Sequence, residues 1–252
     1  MNPRSASTLF AAACVAAASA AHALPLSDRA SFELFAGGSI ATPGTFREAA
    51  SIDGPDGSTS FNRLDFGDVY SSGYTGGAEF DYAMDSHLSA FARAAYSQFN
   101  GANRQVGALF SETDGHMPID ARFGDAHTGT LDIGARYSFT AGEKWHPFVG
   151  ASFGASRVSE MTAMVSEPGG APTTRVELGR ASTVFEQRAE TGVQFSPMEN
   201  FDLRLTAAAS HVDSGRPSGD TNLGLLGLDE ENRSLVRGHW NFPAEIGAVW
   251  HF

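Results

Sequence analysis

Residues 240–252, WNFPAEIGAVWHF, alternate with a strict period of two and end on an aromatic residue. One face carries Trp240, Phe242, Ala244, Ile246, Ala248, Trp250 and Phe252, and the other carries Asn241, Pro243, Glu245, Gly247, Val249 and His251. Successive side chains of a β-strand point to opposite sides, so the pattern predicts a strand with one apolar face. Either a protein core or membrane lipid can cover such a face, and the rest of the chain decides between them.

The N-terminus predicts export. Residues 1–23 contain Arg4, an alanine-rich apolar stretch over residues 9–18 and the small-x-small sequence Ala21-His22-Ala23, the pattern of a cleaved secretory signal peptide. The one cysteine of the chain, Cys14, lies inside this segment. We therefore expect a mature chain of residues 24–252 without a thiol, which excludes disulfides and cysteine-based sites.

Charge and hydrophobicity exclude further classes of protein. The chain of 252 residues has a formal net charge of -12, so we expect no nucleic acid partner, because binding of that kind needs a basic surface. After the signal peptide no apolar run approaches the roughly 20 residues of a transmembrane helix. A chain that spans a membrane without such helices must close its strands into a barrel, since every backbone polar group has to be paired inside lipid.

Seven further segments share the period of two, at about residues 31–41, 72–84, 87–99, 128–140, 146–158, 184–196 and 201–212. Short turns alternate with long polar segments at about 42–71, 100–127, 159–183 and 213–239. Each strand is long enough for a tilted span, and short turns on one side with long extracellular loops on the other are typical of transmembrane barrels. The predicted fold class is all-β, an eight-stranded antiparallel up-and-down transmembrane β-barrel over residues 24–252.

Aromatic residues favour lipid over a soluble barrel that binds a ligand inside. The apolar faces carry aromatic residues near the short-turn ends of the strands, where we expect a membrane girdle at one height, and alanine and aliphatic residues at mid-strand. In water that band would be a large aggregation-prone patch. The girdle is predicted to contain Tyr82, Tyr137, Phe139, Phe195, Phe201, Trp240, Trp250 and Phe252.

The opposite faces must then line the interior, and they are charged. The predicted interior network contains the acids Glu33, Glu79, Asp81, Asp132, Glu186, Glu190, Asp202 and Glu245 and the bases Arg93, Arg136, Arg188 and Arg204. Eight strands leave an interior that side chains nearly fill, and buried charges must pair. We expect a structural plug of arginine–carboxylate pairs. The excess of four acids keeps a narrow, cation-preferring or gated channel as an alternative.

In strand number, loop pattern, signal peptide and terminal Phe252, the chain resembles the eight-stranded outer-membrane barrels of the OmpA-transmembrane-domain, OmpX and opacity-protein type. The resemblance is architectural and covers nearly all of the mature chain. It implies an outer-membrane location in a Gram-negative bacterium and a structural or surface-interaction role. The implied partners are outer-membrane lipid and lipopolysaccharide, the barrel-assembly machinery through the C-terminal strand, and an extracellular ligand of the loops. We expect no peptidoglycan-binding domain.

Some barrels of this architecture are enzymes. Lipid A deacylases of the PagL type carry a His-x-Ser pair near the outer end of the seventh strand, where this chain has Ser210-His211-Val212-Asp213-Ser214. His211 and Ser214 are the catalytic candidates, but Asp213 takes the nucleophile's position and Ser214 would point to the other side of the strand. We therefore expect no enzyme and keep the hydrolase as an alternative. The loop acids lack the spacing of a recognised calcium loop, so no metal or cofactor is expected.

Overall fold

A computed structural model describes residues 29–252 apart from 43, 48, 55–56, 112–114, 140–143, 167–172, 214–215 and 218–237. The predicted signal peptide, residues 1–23, lies outside the described residues. In the described parts, no helix is long and apolar enough to cross a membrane.

The described elements are almost all strands. In chain order they are β1 (Ala30–Thr42), β2 (Thr45–Arg47), β3 (Ala50–Gly54), β4 (Gly57–Phe61), β5 (Leu64–Asp65), α1 (Phe66–Val69), β6 (Tyr70–Ala83), β7 (Leu88–Gly101), β8 (Asn103–Ser111), β9 (Gly115–Phe123), β10 (Ala126–Ser138), β11 (Trp145–Val158), β12 (Met161–Ser166), β13 (Thr174–Arg180), β14 (Ser182–Met198), β15 (Phe201–Val212), β16 (Arg216–Pro217) and β17 (His239–His251).

Eight of these strands close into a barrel in the order β1-β17-β15-β14-β11-β10-β7-β6. All neighbours are antiparallel, and the ring closes where β1 pairs with β17, with Phe32 opposite Trp250 and Glu33 opposite Val249. The barrel strands are 12 to 17 residues long. Each overlaps one of the eight predicted segments over all but one or two residues, so the predicted eight-stranded antiparallel up-and-down barrel is confirmed.

The outer wall of the barrel is apolar. Leu131 is 68% exposed and Ile133 is 56% exposed at mid-strand, values that suit lipid and not water. Trp240 and Trp250 bound this band on β17. Ten residues of strand measure about 33 Å, which at a tilt of about 40° spans about 25 Å, the height of the apolar band of outer-membrane barrels.

The long connections between barrel strands form a second folded layer. A seven-stranded sheet has the order β16-β13-β12-β9-β8-β4-β3, and β2 pairs with β5 in a separate ribbon. We call these strands together with α1 the cap. Its core contains apolar side chains from the cap and from the adjoining barrel ends, namely Phe46, Phe61, Leu64, Phe66, Val69, Tyr70, Phe99, Val106, Ile119, Ala121, Phe123, Ala126, Met161, Ala163, Val165, Val176 and Leu178.

The sequence interpretation of these segments as polar loops is therefore incomplete. Their hairpins pair as barrel strands do; for example, β8 pairs with β9 along most of its length. Polar residues dominate their composition because only one face of the sheet is buried, and antiparallel sheets commonly leave the other face to water. Residues 112–114, 167–172 and 218–237 of the predicted loops lie outside the described residues.

The cap meets the barrel at an aromatic plug, which we define as Phe46, Phe66, Tyr70, Phe99 and His239. The ring of Phe66 in α1 stacks on the inward-facing imidazole of His239 at 4.5 Å and meets Phe46 edge-on at 5.4 Å. Phe99 reaches the same core from β7 and is 5% exposed. The plug covers the loop end of the interior with tightly packed rings.

At the opposite end of the barrel, the turn over residues 84–87 is tied by Asp85. Its Oδ1 accepts hydrogen bonds from the backbone N–H groups of His87 at 2.7 Å and Leu88 at 2.8 Å. Hydrogen bonds to the charged carboxylate favour it, so they hold the pKa of Asp85 below its usual value.

Candidate functional site

All twelve residues of the predicted interior network are buried. Their positions follow from strand parity, because residues two apart on one strand share a face. Their exposed fractions run from 1% for Glu79 to 8% for Glu186. Seven different barrel strands supply the four guanidiniums and the carboxylates that contact them.

Two arginines form the half of the network nearer the turns. Arg136 donates to Asp81 at 2.6 Å, to Glu190 at 2.7 Å and to Glu79 at 2.8 Å. Arg204 donates to Glu33, to Glu79 at 2.8 Å and to Asp81 at 3.3 Å. Oxygens of Glu33, Glu79 and Asp81 lie within 4.8 Å of one another, a spacing that suits a metal ion. In this structure the guanidiniums of Arg136 and Arg204 lie among these carboxylates and supply the positive charge that a metal ion would supply.

The other two arginines meet at Glu245 on the closing strand. Arg93 donates to its carboxylate at 2.6 Å and 3.1 Å, and Arg188 donates to it at 2.8 Å. Arg188 also donates to Glu190 at 3.1 Å, which joins the two halves of the network. Charge-assisted pairs of this kind are among the stronger hydrogen bonds in proteins.

Three inward phenylalanines, which the sequence reasoning did not assign to the site, support the guanidiniums. Arg93 lies 3.7 Å above the ring of Phe35, and Arg136 lies 4.7 Å from Phe91 and 4.9 Å from Phe148, distances that suit cation–π contact. Each ring covers a glycine of the neighbouring strand, in the pairs Phe35–Gly77, Phe91–Gly134 and Phe148–Gly192. A Cβ on any of these glycines would collide with the ring. These phenylalanine–glycine pairs follow from the register between neighbouring strands, which the sequence pattern does not give.

Three of the eight carboxylates contact no arginine among the described residues. Asp202 pairs with His251 at 2.7 Å near the turn end. Glu186 accepts hydrogen bonds from the hydroxyls of Thr130, at 3.0 Å, and Ser156. Asp132 accepts none from the described part of the chain, where its Oδ1 is buried without a hydrogen-bond partner.

The charged network and the aromatic plug leave little space between them. A polar cavity of about 30 Å³ lies there, lined by side chains that include Thr75, Phe99, Asp132 and Asn241. A water molecule occupies about 30 Å³ of the liquid. The cavity therefore has room for about one water molecule or one ion.

The predicted girdle residues lie on the outer wall at two levels. Seven lie at the turn end, where Tyr137 contacts Phe139 at 5.1 Å and Phe201 contacts Trp250 at 5.8 Å. Trp240 lies at the loop end, with Phe242 at 6.5 Å. Tyr74 and Tyr96 also face outward near the loop end, and the sequence reasoning left them out of the girdle although their parity indicates it.

Of the two candidate hydrolase residues, only His211 lies in the described part of the chain. His211 faces outward beside Trp240, with ring centroids 5.0 Å apart, and its Nδ1 lies 3.7 Å from Asp213 Oδ1. No described serine or threonine hydroxyl hydrogen-bonds to His211, and Ser210 is buried on the opposite face of the strand. Ser214 lies outside the described residues.

Comparison with solved structures finds other barrels of the bacterial outer membrane. Neisserial surface protein A is 13% identical, with coverage of 90% of this chain and 98% of that chain and a TM-score of 0.48. The outer membrane protease OmpT of Escherichia coli is 13% identical, with coverage of 90% and 99% and a TM-score of 0.45. The outer membrane enzyme PagL is 16% identical, with coverage of 87% and 99% and a TM-score of 0.39.

No family model and no curated protein sequence matches the chain. The three solved structures are a surface protein, a protease and a further enzyme, and likeness at this level selects no role among them. The fold assignment rests on the chain's own strand pairing. With a closed ring, an apolar outer wall and a charged interior, the chain is an eight-stranded barrel of the outer-membrane type.

Proposed function

We propose that the protein is an integral outer-membrane protein with a structural or surface-interaction role. In this proposal the barrel is a sealed anchor, and the cap is the extracellular contact surface. The N-terminal signal peptide delivers the chain to the periplasm, and the apolar C-terminal strand engages the barrel-assembly machinery.

The buried core of the cap carries the proposal. Leu178 and Val176 are fully buried in it, so the cap is a folded layer with a defined outer face. On that face Asn103, Arg122, Met164 and Arg175 occupy one row across β8, β9, β12 and β13. A surface held in shape by its own core loses little conformational entropy when a partner binds.

Lipopolysaccharide is the proposed partner at the outer rim of the wall. Arg157 is exposed near the end of β11, on the lipid-facing side, and its guanidinium donates to Thr183 at 3.4 Å. His211 and Trp240 face outward at the same end of the barrel. Cationic, imidazole and indole groups at this level suit the phosphates and sugars of a lipid headgroup.

The two alternatives have less support. A narrow channel needs a continuous path, whereas the four guanidiniums, their carboxylates and the aromatic plug occupy the interior. A lipid A hydrolase using His211 needs a nucleophile, and the residue at the nucleophile's position is Asp213, whose Oδ1 lies 3.7 Å from that imidazole.

The contact-surface role is tested by complementation of a deletion strain. A double variant, Arg122→Glu with Arg175→Glu, alters the outer face of the cap and leaves its core intact. We expect it to fold, seen as a normal heat-modifiable gel shift, and to fail to restore surface adhesion and detergent resistance. The matched control Ile133→Leu, on the lipid-facing wall, should restore both. Full complementation by the double variant would contradict the role.

The same strains and the refolded protein test the partner and the alternatives. We expect Arg157→Glu to reduce the lipopolysaccharide that co-purifies with the barrel, while Arg63→Glu in the cap leaves it unchanged. Planar-bilayer recording should show no discrete conductance, and mass spectrometry of lipid A should show the same acylation with and without expression. Discrete conductance steps would favour the channel, and a lost acyl chain would favour the hydrolase.

A further inference from the structure

Among the described residues, two interior carboxylates have no cationic side chain within ion-pair distance. Asp132 is 6% exposed and Glu186 is 8% exposed, and neither contacts an arginine in the described chain. Glu186 has two hydroxyl donors, whereas Asp132 Oδ1 has none. Five other interior carboxylates each lie within 4 Å of a guanidinium. The unpaired negative charge is thus concentrated in the half of the interior that adjoins the cap.

Both carboxylates line the cavity of about 30 Å³ beneath the aromatic plug. Asn241 lines it from the closing strand, and its Oδ1 is a second buried acceptor without a donor. Further oxygens come from the hydroxyls of Ser39, Thr75, Thr130 and Ser210. Two unpartnered acceptors and a second carboxylate therefore face one enclosed polar space.

The positive groups nearest this space are already engaged. Arg93 and Arg188 line the cavity, but both donate to Glu245, at 2.6 Å and 2.8 Å. Arg188 also pairs with Glu190. Moving either guanidinium to Asp132 would strip Glu245 of a partner. Because both guanidiniums are shared with other carboxylates, a further positive charge here would stabilise Asp132 and Glu186.

We propose that this cavity holds one Ca²⁺ ion between Asp132, Glu186 and Asn241. Oxygen is the only donor type offered beside the engaged guanidiniums, and hard divalent cations prefer oxygen. Two carboxylates balance a charge of two. The volume leaves room for an ion that has shed most of its water, which Ca²⁺ with its flexible coordination does readily and Mg²⁺ does not.

Phe99 of the plug lines the cavity, and an ion can reach all three ligands most readily while the barrel folds. The test therefore begins with unfolded chains, which are refolded into detergent micelles with millimolar CaCl₂, washed with a chelator and analysed for calcium by elemental mass spectrometry. The wild-type protein should retain about one Ca²⁺ per chain. Asp132→Asn and Asn241→Leu should each lower this at least tenfold, while Asp120→Asn, on the exposed face of the cap, should retain it.

Folding of each variant is checked by its heat-modifiable gel shift. If one of the two variants fails to fold, the other still tests the proposal. Refolding with MgCl₂ should leave less than a tenth as much bound metal. Equal calcium in the wild type and in a folded Asp132→Asn or Asn241→Leu variant would overturn the proposal. So would a wild-type content near zero, which would mean that protons neutralise these carboxylates.

Discussion

The barrel and the cap are both antiparallel sheets, yet their interiors have opposite chemistry. In the barrel the apolar residues face outward, as Leu131 does, and the interior contains residues such as Glu79. In the cap Leu178 faces inward, and Arg122 lies on the outer face. Both layers therefore alternate with a period of two, but the apolar residues face outward in the barrel and inward in the cap.

The surroundings of each layer explain the reversal. Water drives the apolar side chains of the cap together, because their burial removes apolar surface from water. Lipid exerts no such force on the barrel wall, since its tails are as apolar as leucine. Backbone pairing and the arginine–carboxylate network must then hold the barrel, which predicts different responses to mutation in the two layers.

The largest expected effect is in the barrel interior. Arg136→Leu would leave Glu79, Asp81 and Glu190 with fewer partners in a buried site. Removing one member of a buried ion pair costs about 4 kcal/mol of unfolding free energy. Urea titration of the barrel refolded into lipid vesicles measures this. The exposed pair of Arg175 with Glu160 is the control, and Arg175→Leu should change the free energy by less than about 0.5 kcal/mol. Equal losses for both variants would refute a charge-stabilised interior.

The cap should respond to loss of apolar volume. Leu178→Ala removes a fully buried side chain and should cost about 3.5 kcal/mol of cap stability through lost burial and the cavity left behind. Because the barrel has its own network, we expect faster proteolysis within the cap and an unchanged heat-modifiable shift of the barrel. Met164→Ala, on the exposed face, should leave the proteolysis rate nearly unchanged. If Leu178→Ala also abolished the barrel's gel shift, the two layers would be one cooperative unit.

The lipid-facing wall should reject charge according to depth. Ile133→Arg places a guanidinium near the middle of the apolar band and should cost about 3 kcal/mol. Thr183→Arg, next to Arg157 at the loop end, should cost less than about 1 kcal/mol because the headgroup region solvates the charge. Urea titration in vesicles compares the two. Similar costs at both positions would mean that lipid does not cover the wall as described.

The smallest effect on stability is expected for Asp85, which lies in a turn outside both the barrel interior and the cap core. Since its pKa is lower in the folded protein than the ordinary 3.8, its contribution to stability is present above pH 3.8 and is lost as the pH falls through the lowered value. Asp85→Ala should lower the urea midpoint slightly at pH 7 and match the wild type at pH 2. Asp85→Asn, which retains an acceptor oxygen, should lie between them at pH 7. A difference that persists at pH 2 would assign the effect to something other than the carboxylate.

Much of the barrel could be predicted because strand parity is a local property. The twelve charged residues assigned to the interior by alternation are all buried in the structure, from Glu33 on the first strand to Glu245 on the last. The pairing among them could not be predicted. Arg93 and Glu245 lie 152 positions apart, and which carboxylate an arginine meets depends on the stagger of strands around the ring.

The cap could not be predicted from the sequence, for a different reason. Its buried residues, such as Val106 and Leu178, are sparse among glycine and polar residues, and each short strand buries only one face. Such hairpins are marginal alone and gain stability only as neighbours in a sheet. Composition therefore indicated polar loops where the tertiary structure has a folded layer.

The sequence by itself determined the number of spanning strands, the face that each turns to lipid and the charged character of the interior, because these follow from alternation and from the need to pair every backbone group in a membrane. Only the tertiary structure decided which charges neutralise one another, that Asp132 Oδ1 has no hydrogen-bond partner among the described residues, and how the loops assemble into a cap over the barrel. Those features depend on strand register and on contacts between segments far apart in the chain, which no local pattern specifies.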